Sequence, residues 1–213
     1  GMGGEGEGEI RFIRLEHGGD WDQDMDENAG FNLLLQFKNR TGIPTRLEEE
    51  HHPIGLLKKY PADAMPPFVY ITGSDGFRLS DHQIDVLRQY VKRGGMIFGD
   101  CGGPGGFHRS FERYMTQAVP EGRWVTIPRD DEIFLKPYGM DGAPPLWHHA
   151  GQYARGIKYR GRWAVFYHPG DLGDAWKDDH SDIAPSKYEA AYRLGVNVIF
   201  YAVETYLDRQ QTE

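Results

Sequence analysis

The chain has 213 residues, of which 39% are hydrophobic and 13% aromatic, so it can bury a substantial core and is not disordered throughout. Its 24 basic and 32 acidic side chains give a net charge of −8, which argues against nucleic acid and anionic membrane surfaces as partners. The single cysteine excludes an internal disulfide and a cysteine-rich zinc site.

The N-terminal residues have neither the basic nor the apolar region of an export signal. No run of the sequence approaches the ~18 apolar residues of a membrane span, so we predict no direct membrane insertion. Residues 1–8 are interpreted as a flexible Gly/Glu-rich lead-in that includes a tag scar at Gly1, and residues 9–213 as a single domain. The compartment is left open. The chain is expected to be soluble as given, and periplasmic export stays an alternative in case a signal segment has been removed.

Strands and helices alternate in the first half of the chain, separated by short glycine-rich turns. The predicted strands cover residues 9–15, 43–47, 67–72 and 96–99. The predicted helices cover 28–38, a segment that opens with a capping box of Ser80 and Gln83 and stops at Gly94, and 107–118. Such alternation favours a doubly wound α/β sheet that is mostly parallel, with helices on both faces, because crossovers between parallel strands are right-handed. Functional residues are then expected at the C-terminal ends of the strands.

The second half of the chain is less regular. Residues 124–127 and 133–135 are predicted to be short extended pieces, and residues 138–152 a loop. Residues 154–159 and 163–167 have the alternation of a hairpin that turns at Gly161. The last predicted element is a long helix from residue 186 to about residue 209, and its apolar positions indicate that it packs on the core.

Short motifs spread over the chain resemble those of one family. They include Phe12–Trp21, Asn32–Leu34, Tyr70–Gly73, Leu87–Tyr90 leading into Gly94 and Gly95, Asp171–Gly173 and Leu194–Asn197. Together they resemble the bacterial DUF4159 family over essentially everything beyond the lead-in. The resemblance implies a three-layer, flavodoxin-like fold similar to class I glutamine amidotransferase domains, and it implies no reaction.

The sharpest local motif is the cysteine between glycines in Gly99–Gly103, directly after a predicted strand. This is the layout of a nucleophile elbow, in which Cys101 would attack and the amides of the following glycines would form an oxyanion hole. His168 would act as the base and Asp171 as its orienting partner. The segment of residues 165–171 is similar to the strand-His-Pro-Glu stretch of glutamine amidotransferases, although Gly170 stands at the position of their acidic residue. One alternative is therefore a Cys-dependent hydrolase or amidase; the other interpretation of Cys101 is a buried structural cysteine.

Histidines and carboxylates recur in the loops after the predicted strands. They are His17, Asp20, Asp100, His108, His168 and Asp171. If these loops converge on one edge of the sheet, they predict a site for a polar ligand or, as a second alternative, a metal-assisted enzyme. Each group could instead cap a turn, as Asp20 and Asp171 can. No pair has a dedicated metal-ligand spacing, so we predict neither a metal site nor a cofactor.

The loop after the first strand is the leading candidate site. Its glycines permit close approach of a ligand, and Trp21 offers a flat ring for stacking. The predicted ligand-binding residues are His17, Gly18, Gly19, Asp20, Trp21, Asp100, Gly102 and Gly103. We therefore expect, first, a non-catalytic binding module for a polar small molecule or a protein partner, in which an amidotransferase-like scaffold has lost its nucleophile.

Overall fold

The computed structural model describes residues 8–23 and 25–212, and it contains a seven-stranded sheet. The strands are β1 (Ile10–Glu16), β2 (Thr45–Pro53), β3 (Phe68–Gly73), β4 (Met96–Cys101), β5 (Trp124–Thr126), β6 (Arg155–Tyr159) and β7 (Arg162–His168). Their order across the sheet is β2-β1-β3-β4-β7-β6-β5. Apart from Gly8, the lead-in predicted over residues 1–8 lies outside the described residues.

Helices cover both faces of the sheet. They are α1 (Ala29–Thr41), α2 (Asp81–Lys92), α3 (Phe107–Ala118), α4 (Leu172–Trp176) and α5 (Pro185–Thr212). The predicted capping box opens α2, since the Ser80 hydroxyl accepts the amide of Gln83 and the Gln83 side chain accepts the amide of Ser80. No helix within residues 8–23 and 25–212 is both long and apolar enough to cross a membrane.

The sheet is mixed, and the prediction of a mostly parallel sheet is wrong. Strands β2, β1, β3, β4 and β7 pair in parallel, whereas β6 is antiparallel to both β7 and β5. The reversal comes from a tight turn in which Arg160 and Gly161 have φ angles of 48° and 80°. The predicted hairpin is confirmed, and because β5 joins its outer strand, the sheet ends in an antiparallel edge.

The segment around Ile133 also differs from its prediction as an extended piece. Residues Glu132–Phe134 form a short 3-10 helix, because the Asp131 side chain accepts the amide of Ile133 over 3.0 Å and caps the turn. The other predicted elements are present, although β2 continues to Pro53, well beyond its predicted end at residue 47. Residues 138–152 contain neither helix nor strand.

Two hydrophobic layers enclose the sheet, and alternate residues of each strand enter opposite layers. In β4, Ile97 and Cys101 lie in the layer under α2 and α3, which we call the α2/α3 face. Phe98 lies in the layer under α1, α4 and α5, which we call the α1/α5 face. Because of this alternation, Asp100 and Cys101 are neighbours in sequence but point to different faces, so the residues of the predicted site cannot all meet on one face.

Candidate ligand-binding site at the strand ends

The strand order reverses direction between β1 and β3. After β1 the chain passes through α1 to β2 on one side, and after β3 it passes through α2 to β4 on the other side. Ligands of open α/β sheets bind in the crevice at such a switch point, beyond the carboxyl ends of the strands. Here that crevice lies between the loop of residues 17–21 and the loop of residues 74–79.

His17 fixes the loop after β1 against the end of β3. Its Nδ1 accepts the amide of Gly19 over 3.0 Å, so Nε2 carries the proton and donates to the Thr72 carbonyl over 2.6 Å. The ring packs against Phe77 at a tilt of 30° with centroids 4.4 Å apart, and burial lowers the pKa of His17. Because both ring nitrogens bind backbone groups, the imidazole positions the loop.

Asp20 fills the inner part of the crevice. Its two carboxylate oxygens accept the amides of Ser74 and Asp75 over 2.9 and 3.0 Å. The side chain thus ties the loop after β1 to the loop after β3. This contact corresponds to the turn-capping interpretation of Asp20.

The glycines after His17 bring the two loops into backbone contact. A Cβ atom at Gly18 would lie 2.9 Å from the carbonyl oxygen of Arg78, and one at Gly19 would lie 3.0 Å from that of Gly76. A side chain at Gly18 would therefore push the backbone of the neighbouring loop away.

A cavity of about 500 Å³, which we call the arginine cavity, opens beside this contact. It is lined by Gly18, Gly76, Phe77, Arg78, Ser110 and Arg113. The first four residues belong to the two loops of the switch point, and the last two belong to α3. Among the predicted ligand-binding residues, Gly18 is the one in this lining.

The polar side chains of the arginine cavity are held to different degrees. The Ser110 hydroxyl accepts the amide of Phe77 over 3.1 Å, so its own proton can be donated to a ligand. The Arg113 guanidinium lies 4.8 Å from the Tyr114 ring centre and donates to the Tyr114 hydroxyl over 2.8 Å. Arg78 is exposed, and its side chain makes no ion pair or hydrogen bond with the described part of the chain.

The predicted ligand-binding residues Trp21, Gly102 and Gly103 contact neighbouring residues of the protein and do not line the arginine cavity. The Trp21 ring stacks on His51 of β2 with centroids 5.3 Å apart. The Gln23 side chain donates to the carbonyl of Gly102 over 2.6 Å, and a Cβ at Gly103 would collide with Ser74. These contacts hold the loops after β1, β3 and β4 together.

Cys101 is buried on the α2/α3 face. Its thiol donates to the carbonyl of Gly103 over 3.3 Å and lies beside the hydroxyl of Tyr167. Burial raises the pKa of the thiol. The Tyr167 hydroxyl also contacts Nδ1 of His108 at 3.0 Å, a neighbourhood that the sequence analysis did not identify.

His168 points to the other face of the sheet. It is in register with Asp100, so its ring lies on the α1/α5 face while Cys101 lies on the α2/α3 face. Its Nδ1 accepts the amide of Gly170 over 3.0 Å, Nε2 lies 3.3 Å from the Pro144 carbonyl, and burial lowers the pKa of His168 to about 4. The structure therefore does not bring Cys101 and His168 together.

Asp171 lies on the loop after β7, where its backbone has a φ angle of 67°. Its side chain accepts the amide of Asp174 over 3.0 Å, which caps the N-terminus of α4. The Nε2 atom of His149 lies 4.0 Å from the Asp171 carboxylate. The observed role of Asp171 is thus a helix cap.

Asp100 is fully buried on the α1/α5 face. It accepts the amides of Leu172 and Gly173, each over 2.8 Å, and the hydroxyl of Tyr70 over 2.5 Å. Burial raises the pKa of Asp100 to about 6. The carboxylate therefore attaches the first turn of α4 to the end of β4.

Arg14 extends this arrangement into a larger cluster. Its guanidinium lies 5.2 Å from the Tyr70 ring centre and donates to Glu49 over 2.6 Å. The other oxygen of Glu49 accepts the amide of Gly30 in the first turn of α1 over 2.9 Å. We call Arg14, Glu49, Tyr70 and Asp100 the buried network.

Four of the six polar residues that could have formed one site are divided between the two faces, and the other two, Asp20 and Asp171, bind backbone amides of neighbouring turns. His17 and His108 lie on the α2/α3 face, and Asp100 and His168 lie on the α1/α5 face. Within residues 8–23 and 25–212, no three His, Cys, Asp or Glu side chains lie close enough to hold a metal ion.

The sequence analysis missed Arg78, Ser110 and Arg113. The available signal was their spacing: Ser110 and Arg113 stand three residues apart on a predicted helix and therefore share a face. Arg78 lies in the loop after β3, where a doubly wound sheet places its ligand contacts.

A family model described as "Domain of unknown function (DUF4159)" matches residues 11–203. No curated protein matches the sequence.

Proposed function

The chain belongs to the DUF4159 family, and from this premise we propose that it is a non-catalytic binding module whose polar ligand occupies the arginine cavity. The observation that carries the proposal is the position of this cavity at the switch point between β1 and β3. Both loops that flank the switch point contribute to its lining, as expected for a ligand site in an open α/β sheet.

The lining supports binding over catalysis. It supplies guanidinium groups, a hydroxyl and an aromatic ring, but its residues include no histidine, cysteine or carboxylate to act as a base. The Ser110 hydroxyl accepts a backbone amide and has no imidazole beside it within the lining. These groups can orient a polar molecule by hydrogen bonds.

We also propose that the fold is of the flavodoxin-like type found in class I glutamine amidotransferase domains. The parallel strands have the order β2-β1-β3-β4-β7, which matches the flavodoxin order 2-1-3-4-5 when β7 is counted as the fifth parallel strand. The antiparallel β6 and β5 extend this arrangement at one edge.

The test of binding is to fill the cavity without disturbing the loops. A Cβ at Gly76 would be in ordinary van der Waals contact with its nearest neighbour, the Ser110 hydroxyl at 3.4 Å, so Gly76→Leu starts an apolar side chain in the lining without a clash at Cβ. Gly139→Leu is the matched control, because Gly139 is exposed, lies outside the lining and has nothing within 4 Å of its Cβ position.

The probes are inorganic phosphate, citrate, glucose and glutamine, and the readout is amide shifts in ¹⁵N–¹H spectra. We expect at least one probe to shift the amides of Gly18, Gly76 and Ser110 in the wild type and in Gly139→Leu. The same shifts should disappear in Gly76→Leu. Absence of shifts in the wild type, or equal shifts in Gly76→Leu, would overturn the proposal.

A further inference from the structure

The charge of the arginine cavity is opposite to that of the chain. Two of its six lining residues are arginines and none is acidic, although the chain carries a net charge of −8. Another cavity, of about 410 Å³, has the reverse character, with Asp178 and Asp179 and no lysine or arginine in its lining. Positive charge at the switch point is therefore a local feature of the surface.

The two arginines reach the cavity from different elements. Arg78 belongs to the loop after β3, and Arg113 lies on α3 one turn after Ser110. Each guanidinium has several N–H donors in a planar fork that fits the oxygens of a carboxylate or phosphate. Arg113 is already oriented by its contacts with Tyr114, which reduces the entropy lost on binding.

Two acidic side chains of the adjoining segments, those of Asp20 and Glu112, have partners away from the cavity. Asp20 accepts the amides of Ser74 and Asp75, and Glu112 pairs with Arg155 and His108. Asp75 is exposed on the loop after β3 and lies outside the cavity lining. An incoming anion would thus meet two guanidinium groups without displacing a carboxylate from either of them.

We infer that the ligand bears an oxyanion, a phosphate or a carboxylate, that binds between Arg78 and Arg113 and accepts a hydrogen bond from Ser110. This inference rests on the proposed function and specifies its ligand class. Phe77 forms an apolar part of the lining, so a small molecule with a carbon skeleton next to its acidic group fits the site.

The experiment measures dissociation constants of inorganic phosphate and of citrate, which separate the two kinds of oxyanion, by titration of ¹⁵N-labelled protein. The variants are Arg78→Ala, Arg113→Ala and Arg78→Lys, with Arg109→Ala as the matched control. Arg109 is an exposed arginine of the same helix, α3, outside the cavity lining. Circular dichroism confirms that each variant is folded.

We expect at least one of the two anions to bind the wild type. Arg78→Ala and Arg113→Ala should each raise the dissociation constant of that anion about tenfold, since a charged hydrogen bond is lost. The dissociation constant of Arg109→Ala should stay within about twofold of the wild-type value. Arg78→Lys should bind the anion more tightly than Arg78→Ala because the charge is kept. Affinity should also fall as salt is raised.

The outcomes separate this inference from the proposed function. If glucose binds in a manner abolished by Gly76→Leu while phosphate, citrate and glutamine, which all carry an oxyanion, do not bind, the oxyanion inference is overturned and the binding module stands. If the anions bind all arginine variants equally, the inference is also overturned. If none of the four probes perturbs the cavity amides, both proposals fail.

Discussion

Two polar clusters lie at the same end of the sheet, one on each face, and they differ in how their charges are satisfied. The buried network joins Arg14 to Glu49 and gives Asp100 three hydrogen-bond donors, so its polar groups are paired inside the protein. In the arginine cavity, Arg78 and Arg113 are exposed and no carboxylate lies in the lining. The comparison suggests that the first cluster stabilises the fold and that the second can bind a ligand.

The largest effect on stability is expected from Asp100→Ala. The change leaves the Tyr70 hydroxyl and two amides of α4 without an acceptor inside the protein. We expect the free energy of unfolding to fall by about 3 to 5 kcal/mol, measured by urea denaturation. A loss below about 1 kcal/mol would mean that the buried network does not hold the sheet end together.

Glu49→Ala should come next. The side chains of Arg14 and Glu49 are 1% and 8% exposed, so the variant leaves a buried guanidinium without its carboxylate. We expect a loss of about 3 kcal/mol in the free energy of unfolding. Asp85→Ala is the control, since it breaks the ion pair with Arg88 on the surface of α2 and should cost about 0.5 kcal/mol or less. Equal losses for the two variants would contradict the distinction between buried and exposed charge.

The pH dependence of stability should report on Asp100. Burial raises its pKa from 3.8 to about 6 in the folded protein, so between these values the folded chain holds a proton that the unfolded chain has released. This contribution to stability is therefore present at pH 4 and lost as the pH rises to about 6.

The matched variant for the pH experiment is Asp100→Asn, which cannot titrate at this position. The difference in unfolding free energy between wild type and variant should change by about 2 to 3 kcal/mol between pH 4 and pH 6. His168 makes an opposing contribution, because its lowered pKa makes the folded protein lose stability as the pH falls from 6.5 to about 4. Subtracting the unfolding free energy of the variant from that of the wild type removes this contribution, since both proteins contain His168. A difference that is flat over this range would show that Asp100 has an ordinary pKa.

The smallest effect tests the loop contact beside the arginine cavity. Gly18→Ala places a Cβ 2.9 Å from the Arg78 carbonyl, whereas Gly76→Ala meets its nearest atom at 3.4 Å. We expect Gly18→Ala to cost about 1 to 2 kcal/mol and Gly76→Ala to stay within about 0.5 kcal/mol, both by urea denaturation. If both variants are neutral, the two loops are not in fixed contact.

The sequence was informative about elements and less so about contacts. Local signals such as the Ser80 capping box and the turn at Gly161 predicted where helices and strands begin and end. They also predicted the hairpin that makes the sheet mixed, but the alternation of strands and helices outweighed that signal in the prediction of a mostly parallel sheet. Periodicity alone did not reveal that the Asp131 side chain turns residues 132–134 into a 3-10 helix.

Predicting the site was harder because strand pleating separates neighbours in sequence. The motif around Cys101 predicts a nucleophile elbow, yet Asp100 and Cys101 contact different helical layers. His168 lies on the same face of the sheet as Asp100 and therefore not on the face of Cys101. Polar residues near strand ends were interpreted as ligand contacts, while His17, Asp20, Asp100 and Asp171 bind backbone amides or carbonyls. Buried backbone groups need partners, and these side chains supply them.

The order of residues by itself determined the α/β class, most element positions, the family and the edge of the sheet where loops gather. Only the tertiary structure decided which loop residues face a cavity and which face one another. The reason is physical: local propensity and periodicity act over a few residues, whereas Arg78 and Arg113 meet at one cavity because the sheet brings distant segments together.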